Sequence, residues 1–304
     1  MYEWTKVEEK FLVRFVNKKV IELLPKLPEN PFDLVQKKKD RRKLIEMIYE
    51  CLVAKKIRYS YEDYHPNTTK QLIRSPSQIL SSPGLGTCLD LALLFCGLCL
   101  GYDLLPMLII IDGHALAAVS LNHNCQNDGW NNPGRRELQL FRKENGEPDL
   151  LTGEEKLQEL QQLIDDEAYI AIECTGLAHT DSFVNSEEPE AKGRKNGFLD
   201  FNRALDAGSE QLSNPRRSFQ FAIDIALAHY GWGIEPLPLE ILNSPTELTR
   251  VQVEQKVRKF TNGEMIGVES TGEPTKGNLN IEVSQGADTF ENGKMKGVVM
   301  SSNN

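Results

Sequence analysis

The sequence predicts an α+β fold in which helices come first and an antiparallel sheet follows. Apolar residues at three- and four-residue spacing indicate amphipathic helices over residues 7–25 and 41–55, joined by a proline-rich connection. Two apolar runs, residues 105–111 and 114–121, flank Asp112-Gly113, which is a strong hairpin-turn signal. Because the helices come before the hairpin, the order of elements favours helices packed on an antiparallel sheet over a fold in which strands and helices alternate around a parallel sheet.

The other predicted elements follow from period and length. Thr87, after the glycine-rich turn Gly84-Leu85-Gly86, begins a strongly apolar helix that runs to about Leu100. The remaining segments are an extended piece over 57–61, a loop over 122–134, a strand over 137–141, a surface helix over 154–167, a buried strand over 168–174, a polar stretch over 180–197, and closing segments over 198–212 and 219–230.

Composition restricts the classes of function. The 304 residues carry a net charge of −9, which argues against general nucleic-acid binding because such binding needs a basic surface. A basic cluster at residues 37–42 precedes an apolar helical pattern and is interpreted as a solvated helix start. No apolar run reaches the roughly 18 residues needed to cross a bilayer, and the first residues lack a signal-peptide pattern. We therefore expect a cytoplasmic protein that makes no membrane contact.

The cysteines form no paired framework that would indicate disulfides or a metal site. Cys96 and Cys99 make a C-x-x-C pattern, but it lies inside an apolar helix without a second ligand pair, which favours core packing over zinc. The sequence also lacks the H-E-x-x-H, Walker-loop and dinucleotide-binding patterns. We expect neither a metal nor a cofactor.

Cys88 is the candidate nucleophile because of its position at the start of the apolar helix. Thr87 and Asp90 have the spacing of a capping box, so Cys88 falls in the first helical turn. The helix dipole and the unpaired N–H groups of that turn favour a thiolate, and the same N–H groups can stabilise an oxyanion. The alternative is a structural cysteine buried at a helix start.

His114 and Glu173 supply the candidate base and the candidate acid. His114 opens the return strand of the hairpin, where its imidazole can face a helix N-terminus and take the thiol proton; the alternative is a hydrogen-bonded turn histidine. Glu173 is a lone carboxylate in an apolar strand, and a buried acid needs a partner. The expected partner is His114, whose tautomer the acid would hold, and the alternative partner is Arg74.

These residues lie in a set of stretches with a recognisable order. The stretches are Ile48-Tyr-Glu-Cys-Leu-Val-Ala-Lys-Lys-Ile-Arg-Tyr59, Ser75-Pro-Ser-Gln-Ile-Leu80, Gly84-Leu-Gly-Thr-Cys-Leu-Asp-Leu-Ala92, Gly113-His-Ala115 and Ile170-Ala-Ile-Glu-Cys-Thr175. Together they resemble the transglutaminase-like fold of papain-type cysteine enzymes over roughly residues 40–180. The resemblance implies a Cys-His-acid triad mapped onto Cys88, His114 and Glu173.

The chain departs from the family pattern in its third triad member. The family usually has an Asp that follows the His sooner, whereas Glu173 follows His114 by 59 residues. Glu137 is therefore the alternative acid. The side-chain oxyanion donor of the family has two candidates here, Gln71 and Gln78.

The C-terminal segment contains an internal repeat of β character. Residues 251–268 recur as residues 281–298, and 8 of the 18 paired positions are identical, among them Phe260/290, Asn262/292, Gly263/293 and Met265/295. Stacked in register, the copies would oppose Glu264 with Lys294 and Arg258 with Asp288. The alternative is a small hairpin appendage, since Asn-Gly between alternating residues is also a hairpin signal.

The paired repeats resemble amyloid-type signalling motifs of fungal and bacterial immune-like effectors. That resemblance implies self-assembly, or pairing with a nucleotide-binding sensor, through residues 246–304. We accordingly divide the chain into an N-terminal helical extension (1–38), a transglutaminase-like catalytic domain (39–242) and a repeat tail (246–304).

The combined resemblances imply a cysteine-nucleophile hydrolase, in the first place a protease acting on a peptide or protein, that its tail recruits or clusters as an effector in a bacterial defence or signalling system. Alternatives are an acyl-transferase or amidase of the same fold, and a catalytically silent adaptor that binds peptides.

Overall fold

The computed structural model describes residues 2–3, 8–60, 70–126, 129–143, 145, 147, 149–180, 188–214 and 217–239, and four short strands within residues 258–295. Helix and sheet are mixed in this part of the chain, as the α+β prediction requires. The chain divides into two compact units, residues 1–268 and 269–304. The boundaries expected at residue 38 and at residues 242–246 stay predictions.

The α-helices agree with the helical segments predicted at 41–55, 87–100 and 154–167. They are α1 (Arg41–Val53), α2 (Pro76–Leu80), α3 (Cys88–Gly101), α4 (Glu154–Asp165) and α5 (Phe201–Leu212). Shorter 3₁₀ helices are Glu9–Phe15, Lys18–Leu23, Arg136–Phe141 and Cys174–Leu177, and π-helical turns are Asp33–Lys38 and Leu227–Gly231.

The strands form one central antiparallel sheet and several short pairs. They are β1 (Tyr2–Glu3), β2 (Arg58–Tyr59), β3 (Lys70–Gln71), β4 (Leu85–Gly86), β5 (Pro106–Ile111), β6 (His114–Ser120), β7 (Tyr169–Ile172), β8 (Phe219–Asp224), β9 (Arg258–Thr261), β10 (Glu264–Gly267), β11 (Phe290–Glu291) and β12 (Lys294–Met295). The central sheet has the order β7-β6-β5-β8. Ile111 pairs with His114, so the predicted two-residue turn is confirmed, and Gly113 supplies its positive φ of 65°.

The central sheet is covered on both faces. Because side chains alternate along a strand, each of β5 and β6 contributes to two apolar clusters. Leu108, Ile110, Ala117 and Val119 pack with α3, whereas Met107, Ile109, Leu116 and Ala118 pack with α4. The strands therefore read as continuous apolar runs, and both are buried along their whole length.

Helix α3 is the centre of the larger cluster. Every residue from Leu89 to Leu100 is buried, as expected for a helix that is apolar on all sides. Cys96 and Cys99 have no exposed surface, which confirms core packing for the C-x-x-C pattern. The N-terminal 3₁₀ segment lies so close to α3 that a Cβ at Gly101 would sit 2.4 Å from the carbonyl oxygen of Lys18.

Two sequence predictions of local structure are wrong. The strand expected over 137–141 is a 3₁₀ helix, because the buried residues Glu137, Leu138, Leu140 and Phe141 recur every three positions rather than every two. The single helix expected over 7–25 is two 3₁₀ helices separated at Asn17. The Asn17 side chain accepts from the N–H of Lys19 and donates to the carbonyl of Leu237 at 2.8 Å, which fixes a break in the helix.

No helix in the described part of the chain is both long and apolar enough to cross a bilayer. In the tail, each repeat contains an antiparallel hairpin, β9–β10 and β11–β12. Phe260 pairs with Met265 in the first hairpin, and Phe290 pairs with Met295 in the second, so the two copies share one register. This register is compatible with both the stacking interpretation and the hairpin-appendage interpretation.

We predict that the tail mediates assembly. A two-stranded hairpin is only marginally stable in water and leaves two unpaired edges, so equivalent hairpins gain by pairing with one another. Deleting residues 246–304 should leave a monomer, and Phe260→Asp with Phe290→Asp should abolish concentration-dependent assembly in sedimentation velocity. The matched control is Lys259→Asp with Thr289→Asp, which adds negative charge one residue earlier in each copy. A full-length chain that stays monomeric at high concentration contradicts assembly.

Candidate active site

The start of α3 is fixed by a reciprocal cap. Thr87 Oγ1 accepts from the N–H of Asp90 at 3.3 Å, and Asp90 Oδ2 accepts from the N–H of Thr87 at 3.0 Å, so the predicted capping box is present. Asp90 also binds the guanidinium of Arg74 at 2.8 Å and accepts from the Arg74 N–H. These contacts fix the direction in which the first turn of α3 points.

Cys88 occupies the first position of this helix and is partly exposed, unlike the residues that follow it. The N–H groups of Asp90 and Leu91 are satisfied by Thr87. Those of Cys88 and Leu89 have no acceptor within the helix, because no preceding turn exists. The first turn therefore offers two N–H groups that have no intrahelical acceptor.

His114 connects Cys88 with Glu173. Its Nε2 lies 2.8 Å from Glu173 Oε2, and its imidazole interacts electrostatically with the Cys88 side chain, which raises the pKa of His114. Since Nε2 is used by Glu173, Nδ1 is the ring nitrogen left for the thiol. His114 is buried, so the imidazole is held between the two groups.

Glu173 is fully buried and surrounded by donors. Oε1 accepts from the N–H of Thr175 at 2.7 Å, and Oε2 accepts from both His114 and the side-chain amide of Gln211. The backbone N–H of Glu173 donates to the carbonyl of Ala204 in α5 at 3.0 Å. The carboxylate thus obtains from protein groups the hydrogen bonds that water would otherwise supply.

The pKa values of His114 and Glu173 are shifted in opposite directions. Burial acts against a charged imidazole, but the Glu173 carboxylate and the Cys88 thiol together raise the pKa of His114 well above 6.5. Burial acts against a charged carboxylate, but His114 and the donors at Thr175 lower the pKa of Glu173 to about 2. The environment therefore favours an imidazolium–carboxylate ion pair.

The alternative partners considered for this site lie elsewhere. Arg74, the other candidate partner of Glu173, pairs with Asp90 instead. Glu137, the other candidate acid, binds Arg135 at 2.8 Å and accepts from the hydroxyl of Tyr169 at 2.8 Å. That cluster is buried and includes an ion pair between Arg135 and Asp224. Glu173, not Glu137, is the acid in contact with His114; its catalytic role stays a prediction.

The oxyanion roles considered for two glutamines stay predictions. Gln78 forms the capping box of α2 with Ser75, whose N–H it accepts at 2.9 Å. Gln71 lies in β3, where its backbone pairs with Tyr2. The N–H groups of Cys88 and Leu89 are further candidates, since the first turn of α3 leaves both without an intrahelical acceptor.

Sequence reasoning missed Gln211, which contacts the acid from α5. A signal was present, because Ala204, Ala207, Gly208 and Leu212 mark an apolar face with three- and four-residue spacing, and Gln211 falls on that same face. A fully buried polar side chain on such a face needs partners.

No set of three or more His, Cys, Asp or Glu side chains suited to a metal ion occurs among the described residues. Two cavities of about 320 Å³ each lie elsewhere in the molecule, one beside Trp130 and Trp232 and one beside His123 and Arg136. The Cys88–His114–Glu173 contacts are therefore the chemically distinctive cluster of the part that the structure describes.

Comparison with family models, with curated proteins and with solved structures found no match to this chain.

We predict that Cys88 is the most reactive of the six thiols. Burial raises the pKa values of the other five, to about 12 for Cys125 and well above 9.0 for Cys96, Cys99 and Cys174. Limited alkylation near neutral pH, read by peptide mass spectrometry, should modify Cys88 about tenfold faster than the others. His114→Ala should slow alkylation at Cys88 and leave Cys51 unchanged. Preferential labelling of Cys51 or Cys125 would remove Cys88 as nucleophile.

The ion pair should also make stability depend on pH. The Glu173 pKa is lowered from 4.5 to about 2, so its contribution is complete above 4.5 and is lost as pH falls towards 2. The His114 pKa is raised, so its contribution is complete below 6.5 and is lost as pH rises through the folded value. Urea unfolding should therefore show the largest loss for Glu173→Gln at about pH 5.5 and smaller losses at about pH 3 and pH 9. The exposed Glu155→Gln is the control, and an equal Glu173→Gln loss at all three pH values contradicts the ion pair.

Proposed function

We propose that this chain is a cysteine-nucleophile hydrolase of transglutaminase-like type that cleaves amide bonds in a peptide or protein. The observation that carries the proposal is the His114 imidazole, whose Nε2 lies 2.8 Å from the Glu173 carboxylate and which also interacts electrostatically with the Cys88 side chain. Thiol, base and acid stand in the order that cysteine hydrolases require.

Acylation would begin from the state in which His114 holds the proton of the Cys88 thiol, a state that the raised pKa of the imidazole favours. The Cys88 sulfur then bonds to the substrate carbonyl carbon, and the carbonyl oxygen becomes an oxyanion beside the N–H groups of Cys88 and Leu89. His114 returns the proton to the leaving nitrogen, the C–N bond breaks, and a thioester remains on Cys88. Water attacks the thioester with His114 as base, which releases a carboxylic acid and restores the thiol.

Glu173 supports each proton transfer without taking a proton itself. A carboxylate whose pKa is lowered to about 2 stays ionised near neutral pH. It stabilises the imidazolium and keeps Nε2 engaged, so that Nδ1 remains directed to the thiol. Its environment therefore suits an orienting group rather than a general acid.

The cellular location and the role of the C-terminal tail also belong to the proposal. A thiol nucleophile works where thiols stay reduced, and the six cysteines are free, which supports the cytoplasm as its location. The repeated hairpin register supports a tail that clusters the enzyme or pairs it with a nucleotide-binding sensor carrying a similar motif. The transglutaminase-like assignment of the core belongs to this proposal as well.

The decisive experiment compares the full chain with Cys88→Ala on a mixture of denatured proteins that contains a labelled primary amine. Hydrolysis predicts new N-termini that depend on Cys88, read by terminal-amine mass spectrometry. Acyl transfer from a glutamine side chain would instead release ammonia and incorporate the amine without new N-termini. Acyl transfer from the main chain would give new N-termini together with C-termini that carry the labelled amine. Peptide binding with neither product would indicate a silent adaptor and contradict the proposal.

We predict that Glu173→Gln lowers turnover by about 10²- to 10⁴-fold, because the imidazole loses its orienting charge. The matched control is Glu137→Gln, the same change at another buried glutamate. It breaks the contact with Arg135, so thermal stability should fall while turnover of the folded fraction is kept. Loss of turnover in Glu137→Gln alone would transfer the role of the acid to Glu137.

A further inference from the structure

Gln211 is a buried amide in direct contact with the acid of the proposed triad. It lies near the C-terminal end of α5 and has no exposed surface. Its Nε2 donates to Glu173 Oε2, the same oxygen that faces His114. A polar side chain in such a position determines how the carboxylate is oriented.

Arg217 dictates which end of the Gln211 amide faces Glu173. Arg217 Nη1 donates to Gln211 Oε1 at 3.0 Å, and a guanidinium can only donate. The amide oxygen therefore faces Arg217, and the NH₂ group must face Glu173. Arg217 itself forms ion pairs with Glu190 at 2.6 Å and Glu188 at 3.5 Å. These ion pairs fix the guanidinium that binds the amide oxygen of Gln211.

The backbone brings α5 close enough for this contact. The N–H of Glu173 donates to the carbonyl of Ala204, which ties the end of β7 to the helix. At Gly208, a Cβ would lie 2.7 Å from the backbone of Ala171, so only a glycine permits this approach. Gln211 is three residues beyond Gly208 on the same buried face and therefore reaches the carboxylate.

We propose that Gln211 is a positioning residue that keeps Glu173 ionised and directs its Oε2 at His114. The inference rests on the proposed function, since it assigns a role within the same site. Because Arg217 holds the amide oxygen of Gln211, the Gln211 side chain can only donate to Glu173. A fixed donor stabilises the ionised carboxylate of Glu173 relative to the carboxylic acid. The amide also shares Oε2 with His114, which limits rotation of the carboxylate away from the imidazole.

The other titratable groups around Glu173 set the background for a pH test. His114 faces it from β6, and Arg217 acts on it from beyond α5. Tyr49 of α1 and the neighbouring Cys174 also interact with it electrostatically, and burial raises the pKa values of both well above the ordinary range. Neither group changes charge between about pH 4 and pH 8, so a change in the acid range would come from Glu173 and its donors.

The test is Gln211→Met in the full chain, which keeps the length of the side chain and removes both polar atoms. The rate of Cys88 alkylation should fall roughly tenfold near neutral pH. The acid limb of its pH profile should move upward by about one pH unit, because the ionised carboxylate loses a donor. The carbon-13 signal of the Glu173 carboxyl, identified by its absence in Glu173→Gln, should titrate at a correspondingly higher pH.

The matched control is Gln161→Met, which removes the bond from Gln161 Nε2 to the carbonyl of Leu212 at the end of the same helix. It should leave the pH profile unchanged even if the melting temperature falls. If Gln211→Met does not fold, Arg217→Lys keeps the positive charge and loses the fixed bond to Oε1, and a smaller shift in the same direction is expected. An unmoved acid limb in Arg217→Lys, with Gln211→Met unfolded, would overturn the proposal.

Failure of the inference differs from failure of the proposed function. If Cys88 reacts preferentially and Gln211→Met leaves both the acid limb and the Glu173 titration unmoved, Gln211 fills space only and the inference is wrong. If Cys88 is no more reactive than the other thiols, the proposed function fails. The carboxyl titration then still decides whether Gln211 holds Glu173 ionised.

Discussion

A carboxylate without solvent contact, Glu173, imposes the strongest constraint on the arrangement of this molecule. Moving an ion out of water costs several kcal/mol even after relaxation, so a buried carboxylate persists only with donors on both oxygens. Here the donors come from the next turn of chain, from the first residue of β6 and from α5. The order of the sheet and the docking of α5 are therefore coupled through one side chain.

A second constraint is the burial of α3, which stabilises the fold through apolar contacts rather than through charge. Burying one leucine side chain contributes about 1.5–3 kcal/mol, and this helix buries Leu89, Leu91, Leu93, Leu94, Leu98 and Leu100. A capping interaction contributes about 1 kcal/mol. Apolar burial therefore decides that α3 lies in the core, whereas the Thr87–Asp90 cap decides where the helix begins. Together they leave Cys88 as the partly exposed end of a helix that is otherwise buried.

Glu137 and Glu173 are both buried, and they differ in the basic side chain that each one contacts. Glu137 faces Arg135, whose guanidinium cannot release a proton near neutral pH, so that pair can only hold structure. Glu173 faces His114, and an imidazole, unlike a guanidinium, can change its protonation state. Two buried glutamates with the same side-chain chemistry thus have partners of different kinds, a guanidinium that keeps its proton in one case and a titratable imidazole in the other.

The sequence by itself determined the local parts of this protein: the capping box at Thr87, the two-residue turn before His114, and the need of a lone acid in an apolar strand for a partner. Each depends on residues a few positions apart or on a cost that any buried charge incurs. Only the tertiary structure decided which partner each acid takes, because Glu173 and His114 are 59 residues apart and meet through sheet order and helix docking. For the same reason, the contact between Gln211 and Glu173 could not be predicted from the sequence, because it depends on the close approach of α5 to β7 at Gly208. The 3₁₀ helix over 136–141 was also decided by tertiary packing, since it buries Glu137 and Phe141 as well as Leu138 and Leu140, a three-residue recurrence that the alternating sequence did not reveal.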